Sequence, residues 1–267
     1  MPGTRPALQN AAAGMSESAK KKSLALYGAD RWGSDFLSVN GNGHLMMHAP
    51  ELPPVDLHSL AELLRENGYR TPFVARFPSL VEKKMRELCR AFKRAAKLHG
   101  FEGRHIGIYP LKVNQRRAVV EAVASARAKM DYGLEAGSKP ELLLAMGQEI
   151  QADVPLVLNG FKDEEFMMMA HHAAELGHEV VVVLESLQEV DRYIAVTKDR
   201  PWKQHPKLGF RAKLYTRGSG RWQSSGGELA KFGLTTVEML EVLRRLEAEE
   251  LGDRLVLMHF HIGSQIT

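Results

Sequence analysis

The chain has 267 residues, enough for one large α/β domain or for one domain with part of another. Hydrophobic residues make up 44% and charged residues 25%, the ordinary globular balance, and the net charge of +4 comes partly from the run Lys20 to Lys22. No basic stripe is interleaved with aromatics, which argues against nucleic acid as a partner, and no run of about 18 apolar residues suggests a membrane span. The single cysteine, Cys89, excludes an internal disulfide and suits a reducing cytoplasm.

In chain order, residues 1–24 carry no apolar segment of secretory length. They are expected to be a disordered leader, with Met15 as a second candidate start. Residues 25–77 hold "LYGADRWGSDFLSVNGNGHLMMHAP". This stretch suggests hairpin strands around an Asn-Gly turn at Asn40-Gly41 or Asn42-Gly43, part of a second, β-rich domain. A helix follows, with Met85, Leu88, Phe92 and Ala96 as its inward stripe.

From residue 78 the pattern is a repeat. Strands are expected at 105–111, 130–136, 154–160, 179–185, 207–213 and 255–262, several of them apolar without alternation, as in parallel sheets buried on both faces. Amphipathic helices lie between them. Ser138 with Glu141, and Thr235 with Glu238, have capping-box spacing. Gly177 is a plausible end for the helix at 163–176, whose Met167, Met168 and Met169 are expected as core filler. A spacing of about 25 residues fits a doubly wound sheet or a (β/α)8 barrel. The even spacing of the first four strands, with no glycine-rich dinucleotide fingerprint after the first, favours the parallel (β/α)8 barrel over 78–267, incomplete in this chain.

In such a barrel chemistry sits at the C-terminal strand ends. Lys112, Glu135, Asn159, Arg211 and His261 all fall there. Alone, Lys112 would be a solvated strand-end lysine; five polar groups at one end of consecutive strands suggest a pocket. A lysine desolvated there, or set beside cations such as Arg211, becomes a nucleophile toward an aldehyde. His261 offers a flat ring for stacking, or is a core histidine with both nitrogens satisfied. Ser264 after Gly263 offers a hydroxyl and backbone amides to a phosphate. Together these suggest pyridoxal phosphate. A competing possibility is that His259 and His261 hold a divalent metal in a hydrolase, although no carboxylate cluster of ligand spacing accompanies them. The long Gly/Ser-rich stretch 216–233, with Trp222, is either a flexible connection or a substrate lid.

"YPLKVNQ", "GLEAGSKPEL", "NGFKDEEF", "GSGRWQSSGGELAKFGL" and "HFHIGSQ" resemble the biosynthetic arginine decarboxylases of the alanine-racemase-like fold group. The likeness runs from about Ser23 to Thr267. It implies pyridoxal-phosphate-dependent conversion of L-arginine to agmatine and carbon dioxide, on a polyamine route toward putrescine and spermidine. It implies that Lys112 carries the cofactor, His261 stacks on its ring, Ser264 binds its phosphate, and Arg211 and Glu135 line its site. Other functions stay open: ornithine or diaminopimelate decarboxylase, amino-acid racemase, or a non-catalytic cofactor carrier. Magnesium is also implied, but no ligand cluster for it stands out. A cytoplasmic homo-oligomer, a dimer or dimer of dimers, is expected at full length. The family's chains are far longer, so the glycine-rich phosphate loop, the acidic partner of the ring nitrogen and the substrate-gripping residues are expected downstream of Thr267.

Overall fold

The computed structural model describes residues 14–151, 153–214 and 232–262. The chain divides into two compact units at Lys84/Met85, within one long helix.

The first unit begins with helix α1 (Glu17–Leu26), where the sequence suggested disorder. The helix has a start: the Ser16 hydroxyl accepts the Ala19 N–H, and Lys20 pairs with Glu17 at 2.6 Å. After the short α2 (Ala29–Trp32), β1 (Leu37–Val39), β2 (Leu45–Met47) and β3 (Val55–Asp56) form an antiparallel sheet in the order β1-β2-β3. The expected Asn-Gly turn joins β1 and β2. The Asn40 side chain accepts the N–H groups of Asn42 and His44, each at 2.9 Å, and Gly43 takes φ +84°. Asp56 then caps α3 (Leu57–Glu66), accepting the Ser59 and His58 N–H groups and a contact from His44. Those bonds hold its carboxyl down at about 2.

Helix α4 (Ser79–Leu98) crosses the division. Its apolar stripe is turned differently from expectation: Met85 and Cys89 are buried, while Leu88 and Phe92 are largely exposed, Phe92 lying flat on the His105 ring at 4.0 Å. Leu88 and Phe92 therefore lie off the buried arc that Met85 and Cys89 define, which residue spacing alone does not reveal.

The second unit is a parallel sheet of six strands: β4 (Gly107–Pro110), β5 (Tyr132–Ala136), β6 (Pro155–Leu158), β7 (Glu179–Leu184), β8 (Lys207–Arg211) and β9 (Leu255–His259). Each pairs with its sequence neighbours, in the order β4-β5-β6-β7-β8-β9. That order decides between the two architectures the sequence allowed. A doubly wound sheet reverses its strand order at a switch point; a (β/α)8 barrel never does. Six of the eight strands of such a barrel are present among the described residues.

The connecting helices are α5 (Arg117–Arg127), α6 (Lys139–Met146), α7 (Glu164–Glu175), α8 (Leu187–Asp199) and α9 (Thr236–Ala248). Their inner faces cover the sheet with Val123, Leu142, Phe166, Met167, Val190 and Val242, all essentially inaccessible. Of the three consecutive methionines only Met167 is fully core; Met168 and Met169 are half-buried. A polar–aromatic cluster fills the space between α7 and α8. His171 Nδ1–H donates to Met167 O and its Nε2 accepts the Thr197 hydroxyl, and Trp202 and Tyr193 pack beside its ring. Among the described residues no helix is long and apolar enough to cross a membrane.

Candidate active site

The C-terminal strand ends surround a cavity of about 440 Å³. At β4 the chain leaves the sheet through Pro110 into a tight turn, Leu111–Val113. Leu111 is fully buried and anchors the turn, and the Tyr109 hydroxyl donates to Asn114 O at 3.2 Å. Lys112 is thus fixed at the cavity wall. Its side chain is 64% exposed, so the desolvation expected for it is absent in this arrangement; its nearest partner is Glu135, with Nζ 3.8 Å from Oε1. Register explains the pairing, because Glu135 of β5 stands opposite Pro110 of β4.

The next strands add to the wall in turn. Asn159 follows β6, largely buried, with its Oδ1 unpartnered. Gly160 follows with φ +76°, and a Cβ there would meet Gly137 O at 2.4 Å. Two strand ends therefore approach as closely as bare backbone permits. Glu185 leaves β7 and accepts a hydrogen bond from Arg211 Nη1 of β8 at 3.3 Å; the Arg211 guanidinium lies 5.7 Å from the Phe232 ring. His259 ends β9 and His261 follows, both on the cavity. Burial first, then the nearby Arg211, pushes both imidazoles below the usual histidine range, with Lys112 adding to the effect. Both rings are therefore neutral near pH 7. The structure brings Lys112, Glu135, Arg211 and His261 around one cavity. Ser264 and most of the stretch 216–233, Trp222 included, lie outside the described residues.

The family model described as "Pyridoxal-dependent decarboxylase, pyridoxal binding domain" matches residues 83–267. The chain belongs to this family. Similar proteins include the biosynthetic arginine decarboxylases of Rhodopirellula baltica and Deinococcus radiodurans. The first is 44% identical over 90% of this chain and 36% of its own; the second is 41% identical over 91% and 36%. The crystal structure of the biosynthetic arginine decarboxylase of Campylobacter jejuni superposes with a TM-score of 0.78 at 35% identity, covering 90% of this chain and 38% of that one. The diaminopimelate decarboxylase of M. jannaschii shares the fold, with a TM-score of 0.62 at 20% identity over 88% of this chain and 49% of that one. The chain thus spans just over a third of the length of the arginine decarboxylases it matches.

The residues present fit the pyridoxal group of the family. The cavity is of cofactor size. It holds an amine at Lys112, a neutral ring at His261, a fixed cation at Arg211 and an unpartnered buried acceptor at Asn159. Among the described residues no group of three or more His, Cys, Asp or Glu side chains is placed to hold a metal ion, whether at His259 and His261 or elsewhere.

Sequence reasoning passed over Glu141 and missed Glu185. The spacing of Glu141 from Ser138 predicts a capping residue, and Ser138 does accept the Glu141 N–H. Its carboxylate, however, accepts the Gly137 N–H at 2.7 Å and Gln115 Nε2 at 2.8 Å, at the cavity edge. Glu185 carries one available signal: it ends an unbroken apolar strand, as Lys112 follows one.

Proposed function

We propose that the intact protein decarboxylates L-arginine to agmatine and carbon dioxide with pyridoxal 5'-phosphate as cofactor. The observation that carries this is the Lys112 amine on the wall of a cavity that also presents Arg211, His261 and Glu135. The resemblance to arginine decarboxylases along most of the chain supports L-arginine as the substrate.

Bound pyridoxal phosphate supplies an aldehyde and a ring that takes up the electron pair left when carbon dioxide departs. Lys112, whose amine lines the cavity, is the residue that would hold the cofactor. Glu135, 3.8 Å from Lys112 Nζ, keeps that amine aimed along the cavity wall. His261 would offer a neutral, flat face to the cofactor ring, and Arg211, steadied by Glu185, would supply a permanent cation at the same cavity. Ser264 is proposed as a phosphate ligand on resemblance alone. A homo-oligomer, a dimer or dimer of dimers, in the cytoplasm is proposed for the intact chain.

The test is incubation of the intact protein with carboxyl-labelled arginine, following labelled carbon dioxide and agmatine. Lys112→Ala should abolish both products and the borohydride-trapped cofactor adduct. Racemised arginine without gas, turnover of ornithine or diaminopimelate instead, or bound cofactor with no turnover would each replace this reading by another of the same family. An adduct trapped on a different lysine would overturn the site assignment.

A further inference from the structure

Beneath the cavity wall lies an ion pair, neither of whose members lines the cavity. Lys162 is fully buried and Glu189 nearly so, with side-chain exposures of 0% and 4%. A buried ion pair adds little net stability, because removing both charges from water cancels most of their attraction. What this one does is connect. Glu189 Oε1 accepts the Lys162 backbone N–H at 3.1 Å and its Nζ at 3.3 Å, while Oε2 accepts the Glu185 backbone N–H at 2.8 Å. Lys162 Nζ also donates to Gly160 O, and Arg192 Nη1 donates to Lys162 O at 3.2 Å. Gly160 and Glu185 are both on the cavity, and Glu185 in turn holds Arg211. The pair therefore ties the wall segment after β6 to the one after β7, through bonds that satisfy every oxygen of the carboxylate.

We infer that Lys162 and Glu189 are positioning residues that set the placement of Gly160, Glu185 and Arg211 for cofactor binding. The inference rests on the cavity being the cofactor site. Burial pushes the Lys162 ammonium below its usual range, and Glu189 and Glu185 oppose that shift. The pair is thus interdependent: either charge left alone would have to neutralise or pull the wall segments apart. The device is distinct from ordinary helix capping. Ser186 caps α8 by accepting the Glu189 N–H, while the Glu189 carboxylate goes instead to Lys162 and Glu185.

The experiment compares the intact protein with its Glu189→Gln and Lys162→Met variants, and with Val242→Ala, a core truncation in α9. All are titrated with pyridoxal 5'-phosphate by absorbance, at a temperature where unfolding curves show each fully folded. The two positioning variants should bind the cofactor roughly tenfold more weakly, the usual scale for removing a partner one layer behind a ligand, and displace its absorption maximum. Val242→Ala should lower the melting temperature and leave affinity and spectrum unchanged. Should Glu189→Gln fail to fold, Lys162→Met, with its thioether of similar length, carries the comparison. Parent-like affinity and spectrum in the folded variants would overturn the inference and leave a purely structural pair. A second arm needs no cofactor: hydrogen exchange should quicken at the Glu185 and Lys162 amides and stay slow at Val181 to Val183. Uniform quickening would again overturn it. If the parent itself takes up no pyridoxal phosphate, the functional proposal fails, and the exchange arm still decides whether the pair positions the wall.

Discussion

At Gly160 the backbone holds φ +76°, and the space a side chain would need is filled by Gly137 O. Alanine there meets both left-handed strain and a backbone wall. Gly160→Ala should cost on the order of 3 kcal/mol in urea unfolding and weaken cofactor binding as well. His171 makes a second prediction, away from the site. Burial holds it down at about 4, so the folded state refuses a proton that the unfolded chain accepts once pH falls below about 6.5. Stability should therefore fall as pH is lowered from 6.5 to 4, with His171 contributing about 3 kcal/mol. His171→Gln, measured by thermal unfolding across that range, should flatten the slope. Single residues were legible unevenly. Lys112 announced itself because a cation directly after an apolar strand is unusual. Its real surroundings, an exposed side chain facing Glu135, depend on strand register and could not be read from spacing.

Three helices of the second unit open with Ser/Thr-x-x-Glu, and the motif performs two different jobs. In α9 the Glu238 carboxylate returns to the Thr235 N–H at 2.7 Å, a reciprocal capping box. In α6 and α8 the carboxylate reaches one residue further back, to Gly137 and Glu185, and out to Gln115 and Lys162. Thr235→Ala should therefore cost about 1 kcal/mol, seen as a lowered melting temperature with cofactor affinity intact. The helices themselves were legible, because capping residues and apolar period agree. Which of the two jobs a glutamate performs was not: the Ser/Thr-x-x-Glu spacing is identical, and the outcome depends on what the preceding strand end presents. The same limit explains α4, where Leu88 and Phe92 satisfy the apolar period and yet stay largely exposed.

For the molecule as a whole, strand count, strand order and the clustering of polar groups at one end of the sheet follow from a repeat that is plain in the sequence. The placement of the two outer strands has a consequence for handling. Among the described residues β4 and β9 each pair on one side only. Along and beyond β9, Val256, Met258, Phe260 and Ile262 are all more than half exposed. Residues 1–267 expressed alone should therefore self-associate in gel filtration and form no agmatine. A monomer that decarboxylates arginine would contradict this.

The unbroken order of β4 to β9 also bears on how the protein is made. Each strand finds its partner in the strand synthesised just before it, so the growing sheet is extended at a single edge as the ribosome delivers one strand and helix after another. From β4 to β8 the template is always the newest finished strand, one helix away, whereas the step from Arg211 to Leu255 that brings in β9 is a much longer closure.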